Sequence, residues 1–211
     1  MARMRRAKPT ITELAFFVSG VIVILTGWLA DLLGLFELGS GSGGHGSSAT
    51  FSLRIFLTMF GVAFATIGVA YDNFPEIFSD AEMAKRYLVS FLFLADGSLH
   101  LYALNDHLNE PFPAAFFGIF AGLQVAAAFV IPYTRRELDP AWLGITGFLI
   151  AAYVVTRTVS IWPIGTIEEV DALGLISKIV EVLTVLFLVS LMRSARAERR
   201  KTMRTTAAPS R

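Results

Sequence analysis

The chain reads as an all-α, polytopic membrane protein, a bundle of about six transmembrane helices with both termini in the cytoplasm. Three observations predict this. Of 211 residues, 55% are hydrophobic and only 17% are charged, whereas soluble domains carry about 25% charged residues. The apolar residues gather into six segments, each near the roughly 20 residues that a helix needs to cross a bilayer. The basic residues, finally, crowd onto one set of the alternating connections. The net charge of +1 conceals that asymmetry, and the mean hydropathy of +0.62 agrees with the segment pattern. There is no cysteine, which excludes disulfides, thiolate ligands and cysteine nucleophiles.

The first segment, 11–37, follows the basic leader MARMRRAK. It is too long for a cleavable signal and no small-residue cleavage site ends it, so it reads as a retained signal anchor. GSGSGGHGSSAT (Gly39–Thr50) is a flexible loop. The second segment, 51–71, carries a small-xxx-small pair, Gly61 and Ala65, of the kind that lets helices approach closely in lipid. DNFPEIFSDAEMAKR (Asp72–Arg86) is polar and reads as a connection that can lie along the surface as a short amphipathic helix. The third segment, 87–107, ends at LNEPFP. The fourth, 112–132, carries a second small pair, Gly118 and Gly122, and ends at YTRRELDP. The fifth, 141–161, ends at WPIGTIEEVDA, and the sixth is 172–192. Residues 1–192 thus form one transmembrane domain, and 193–211 a basic cytoplasmic tail expected to fray.

Orientation follows from the charges. Of 18 basic residues, fifteen lie before the first segment, in the second and fourth connections, or after Met192. The first, third and fifth connections hold none. Lys and Arg accumulate on the cytoplasmic side, which places both termini inside, in the cell membrane of a prokaryote. The basic tail sets topology and attracts anionic lipid; no nucleic-acid partner is expected.

The other three basic residues, Arg54, Arg157 and Lys178, fall within apolar segments in the outer half, with the acids Asp31, Asp96 and Glu181. Charges inside a bilayer are expensive and usually mark function. On the third helix, with Asp96 at zero, His100 falls at about 40°, His107 at about 20° and Glu110 at about 320°. One face therefore reads Asp, His, His, Glu from mid-membrane outward. The fifth helix gathers Thr146, Tyr153, Thr156, Arg157 and Ser160; the sixth gathers Asp171, Gly174, Ser177, Lys178, Glu181 and Thr184. These stripes meet if the three helices are neighbours, giving a pocket of Asp96, His100, His107, Tyr153, Arg157, Lys178 and Glu181. Plainer readings stand beside this one. Lys178 and Glu181 are three residues apart and can neutralise each other. Arg54 and Arg157 can snorkel to headgroups. Asp31 and His107 can be solvated at the interface. Asp96 is either glue for a basic partner or a ligand.

Asp96 and His100, at i and i+4, can share one ion, and imidazole with carboxylate suits a divalent metal such as copper or zinc. His107 lies about 10.5 Å further along the axis, too far for the same ion, so a third ligand has to come from Glu181 or Tyr153. Haem does not suit two histidines on one helix face. The segment DGSLH (Asp96–His100), extending loosely to Asp106 and Pro111, resembles the metal-binding segment in the C subunit of the copper membrane monooxygenases. There an Asp-x-x-x-His motif on a membrane helix supplies copper ligands. The resemblance implies Asp96 and His100 as ligands. It departs at the later histidine, which would fall near Pro113, and in the ligand set of a later helix, so monooxygenase activity is not implied.

No Walker loop, dinucleotide fingerprint, HExxH or GxSxG motif is present. The expected function is an outer-facing intramembrane pocket that binds a metal ion or small polar ligand, in a binding or accessory subunit of a membrane complex with other membrane subunits as partners. The alternative is a small proton- or ion-coupled transporter, in which Asp96, His100 and Glu181 relay the ion. Whether the chain is an enzyme is left open.

Overall fold

The computed structural model describes residues 9–38, 48–134, 136–160 and 169–206, without the side chains of Glu76, Phe78 and 198–206. The described elements are helical throughout: α1 (Ile11–Leu32), the single turn α2 (Leu35–Leu38), α3 (Ser48–Ser79), α4 (Ala81–Asp106), α5 (Pro111–Val130), two short 3-10 turns, α6 (Asp139–Thr158) and α7 (Ala172–Thr206). Six of them, α1 and α3 to α7, are long and apolar enough to cross a membrane, as expected of a multi-pass membrane protein.

Local chemistry sets the ends. Thr10 caps α1 in a reciprocal capping box with Glu13. α1 stops at Leu33, because Gly34 takes φ +72°, a conformation that favours glycine. The first segment is therefore broken near its C-terminal end and does not run unbroken to 37. Between α3 and α4 the expected connection Asp72–Arg86 shrinks to Asp80, whose carboxylate accepts from the backbone N–H groups of Glu82 and Met83. The polar residues on either side extend the two helices. α7 likewise continues to Thr206, where fraying was expected after 192. The loop tip 39–47, with His45, and most of WPIGTIEEVDA, with Glu168, lie outside the described residues.

α4 is the central helix, packed against α1, α3, α5 and α7, and it is the most buried of the spans. α1 and α3 pair closely where Gly20 meets Gly61, since a Cβ on either would run into the other's carbonyl oxygen. The Gly118 and Gly122 pair is different: a Cβ at Gly122 would meet nothing within 4 Å. α6 is held mainly by α7.

At the α3–α4 end the bundle hides a polar layer. Asn73 donates to Glu13 (2.7 Å), as does the Tyr87 hydroxyl (2.5 Å). Arg86, only 1% exposed, forks onto Asp139 at 3.1 and 3.0 Å, and Glu82 receives Arg136. The sequence reading left Arg86 in a connection; instead it lies one turn inside α4. Beyond this layer Phe17, Val89, Phe93, Leu94, Ala128 and Leu188 form an apolar core.

Candidate functional site

Ten residues along α4 from Arg86, about 15 Å, the second polar layer begins at Asp96. Asp96, His100 and Glu181 are all buried, and each offers a ligand atom within 4.8 Å of the others'. Gln124 of α5 organises them. Its amide nitrogen donates to Asp96 Oδ2, and its Oε1 lies 2.6 Å from His100 Nδ1. A carboxylate only accepts, so the amide orientation is fixed. His100 must then donate from Nδ1 to Gln124 Oε1, leaving Nε2 turned toward Glu181 Oε1 at 3.9 Å. Ser177 of α7 donates to Asp96 Oδ1 at 2.7 Å. Lys178 donates to Glu181 Oε1, and Glu181 Oε2, fully buried, has no hydrogen-bond partner among the described residues.

Above this floor opens a cavity of about 770 Å³, lined by α4, α5, α6 and α7. His100, Ser177 and Lys178 form its bottom, while Tyr153, Arg157 and His107 line its wall. Arg157 stacks over the Tyr153 ring at 3.8 Å and pairs with Asp171 at 3.6 Å. His107 caps the end of α4, sits 3.3 Å from Glu110 and stacks on Phe117. Of the seven residues predicted for the pocket, His100 and Lys178 line its bottom, while Asp96 and Glu181 are bonded to Ser177 and Lys178 and do not themselves line the cavity. The other three line the space above.

A second cluster holds α1, α3 and α4 together. Arg54, 3% exposed, forks onto Asp31 at 3.1 and 3.0 Å and onto Asp106 at 2.6 and 2.7 Å. Asn105 donates to Asp31 at 2.8 Å, and the Tyr102 ring lies 5.6 Å from the guanidinium. Snorkelling of Arg54 and interfacial solvation of Asp31, the plainer expectations for both, are therefore corrected: the two residues are each other's buried partners. Gln124 and Asp106 were not anticipated. The only sequence signal for Gln124 was its being a lone polar side chain in an alanine-rich span.

No protein-family model, curated protein sequence or solved structure matches this chain.

Proposed function

We propose that this chain is a cation-binding membrane protein, with both termini in the cytoplasm and the cavity open to the outside, in which Asp96, His100 and Glu181 hold the ion. The observation that carries this reading is the charge of the floor. Two buried acids face one partly buried lysine and a buried histidine, so with neutral His100 the cluster has a formal charge of −1 in an apolar setting. Uncompensated buried charge is costly, and a proton or a metal ion would cancel it. Gln124 supports the metal-binding form, because it keeps the proton on Nδ1 and presents the Nε2 lone pair. The bare Oε2 of Glu181 supplies a further donor atom. Copper and zinc are the first ions to try, copper because of the DGSLH resemblance. Lys178 opposes a divalent ion and has to turn from Glu181 when one binds.

A transporter reading is less favoured. Among the described residues Phe93, Leu94 and Leu188 stand between this cluster and the buried acids at the other end, which disfavours a through-path. The role that goes with such a site is that of a binding or accessory subunit among other membrane subunits.

The test is metal content and affinity of the protein purified in mild detergent, beside His100→Ala and Asp96→Asn checked for intact folding. Wild type should bind close to one equivalent of copper or zinc, and both variants should lose at least about tenfold in affinity. Equal affinity in all three would leave the cluster a hydrogen-bond network that holds only a proton.

A further inference from the structure

A divalent ion on the proposed site would overshoot its charge. The cluster without metal has a formal charge of −1, so such an ion leaves it at +1, and buried net charge of either sign is costly. The excess falls on one side chain. Lys178 donates to Glu181 Oε1 and has to turn away when a metal takes that carboxylate. Glu181 is fully buried, whereas Lys178 keeps 16% of its side chain exposed and lines the bottom of the cavity. A displaced ammonium therefore has the cavity to turn into. A second cation waits there: Arg157, 12% exposed, lines the same cavity. Both already lie against the Tyr153 ring, Lys178 Nζ 5.2 Å and Arg157 Cζ 3.8 Å from its centroid. Among the described residues the cavity is lined by two acids, and both are engaged, Asp106 by Arg54 and Asp171 by Arg157. Lys178 thus finds no spare carboxylate, and an anion has to come from outside.

Charge, size and lining then choose the class of anion. One excess positive charge calls for a monoanion. At about 770 Å³ the cavity is far larger than an inorganic counter-ion requires and falls among small-molecule sites, which span about 300–1,000 Å³. Rings of Phe112, Phe116, Phe117 and Phe148 give it an apolar wall, which favours an apolar body on the ligand. We infer that the cavity binds an apolar monocarboxylate as the counter-anion of the bound metal, its carboxylate on Lys178 beside Arg157 and its body against the phenylalanine rings. This rests on the metal reading of Asp96, His100 and Glu181 above. It adds that metal and acid bind cooperatively, each raising the affinity for the other by the same factor.

The experiment is calorimetric titration of the full chain in lipid nanodiscs with 4-phenylbutyrate, with and without one equivalent of zinc, or of copper(II) if zinc does not bind. The metal should tighten 4-phenylbutyrate binding to wild type at least about tenfold, and the acid should tighten metal binding by the same factor. Uncharged 4-phenylbutanamide should gain nothing from the metal. Acetate, which has the charge without the body, should bind at least about tenfold more weakly than the acid. Arg157→Gln should weaken acid binding to the metal-loaded protein about tenfold. Lys178→Met, where it folds, should bind the metal more tightly than wild type and bind the acid no better with metal than without. Metal binding with no gain for the acid would overturn the inference and leave the metal site standing. So would an equal gain for the amide, or acetate binding as tightly as the acid. If wild type binds neither ion, the metal reading falls and the carboxylate site falls with it.

Discussion

Gln124 touches two of the three candidate ligand residues at once, which makes its removal informative. Gln124→Leu leaves Asp96 and His100 each short of a buried hydrogen bond, and such a loss costs about 1–3 kcal/mol. The expected outcome is a lower thermal unfolding midpoint in mild detergent by a corresponding amount; an unchanged midpoint would mean that water replaces the amide. Arg54 should matter more. Arg54→Leu strands the buried carboxylate of Asp31, and breaking a buried pair from one side costs about 3–5 kcal/mol. Adding Asp31→Asn to that variant should recover part of the loss, because the stranded charge is gone. At this scale the sequence was informative where a charge sat near mid-span with no route to water, as at Asp96. It misled at Arg54 and Asp31, whose places near segment ends fitted snorkelling equally well. The deciding partner, Asp106, comes from a different helix end, and hydropathy does not register such pairings.

The elements show the same division. Existence and number of the spans were legible because apolar length is a one-dimensional property. Their ends were not. The stretch Asp72–Arg86 is polar enough to look like a connection, but its polar groups are satisfied inside the bundle by Glu13 and Asp139, so the helices run on. Small-residue pairs were ambiguous for a related reason: spacing shows that a close approach is possible and not which neighbour uses it. The two glycine pairs now make opposite predictions. Gly61→Ala puts a methyl group against the Gly20 carbonyl and Ile24 and should cost about 1–3 kcal/mol through overpacking. Gly122→Ala has open space and should be neutral, or stabilise by up to about 1 kcal/mol through helix propensity. Thermal unfolding of the two variants side by side would check this, and equal destabilisation would contradict the packing described.

For the molecule as a whole, the fifteen-to-none distribution of basic residues between alternate connections predicts the sidedness. Reporters fused after Thr134 and after Met192 should be cytoplasmic and one inserted at 39–47 external. An external C-terminus would reverse the cavity's direction along with the proposed source of its ion. The two buried polar layers also have an electrical consequence. A membrane potential falls mostly across the dry part of a protein, here the layer of Phe93, Leu94 and Leu188 between the Arg86–Asp139 pair and the floor of the cavity. A unit charge carried across the full field changes energy by about 2.3 kcal/mol per 100 mV, or about fiftyfold in affinity. A cation that settles on Asp96 and His100 from the cavity stops before that drop. In vesicles held at potassium diffusion potentials of either sign, its affinity should therefore hardly vary with voltage, whereas a steep dependence would place the ion's site on the far side of Phe93, Leu94 and Leu188.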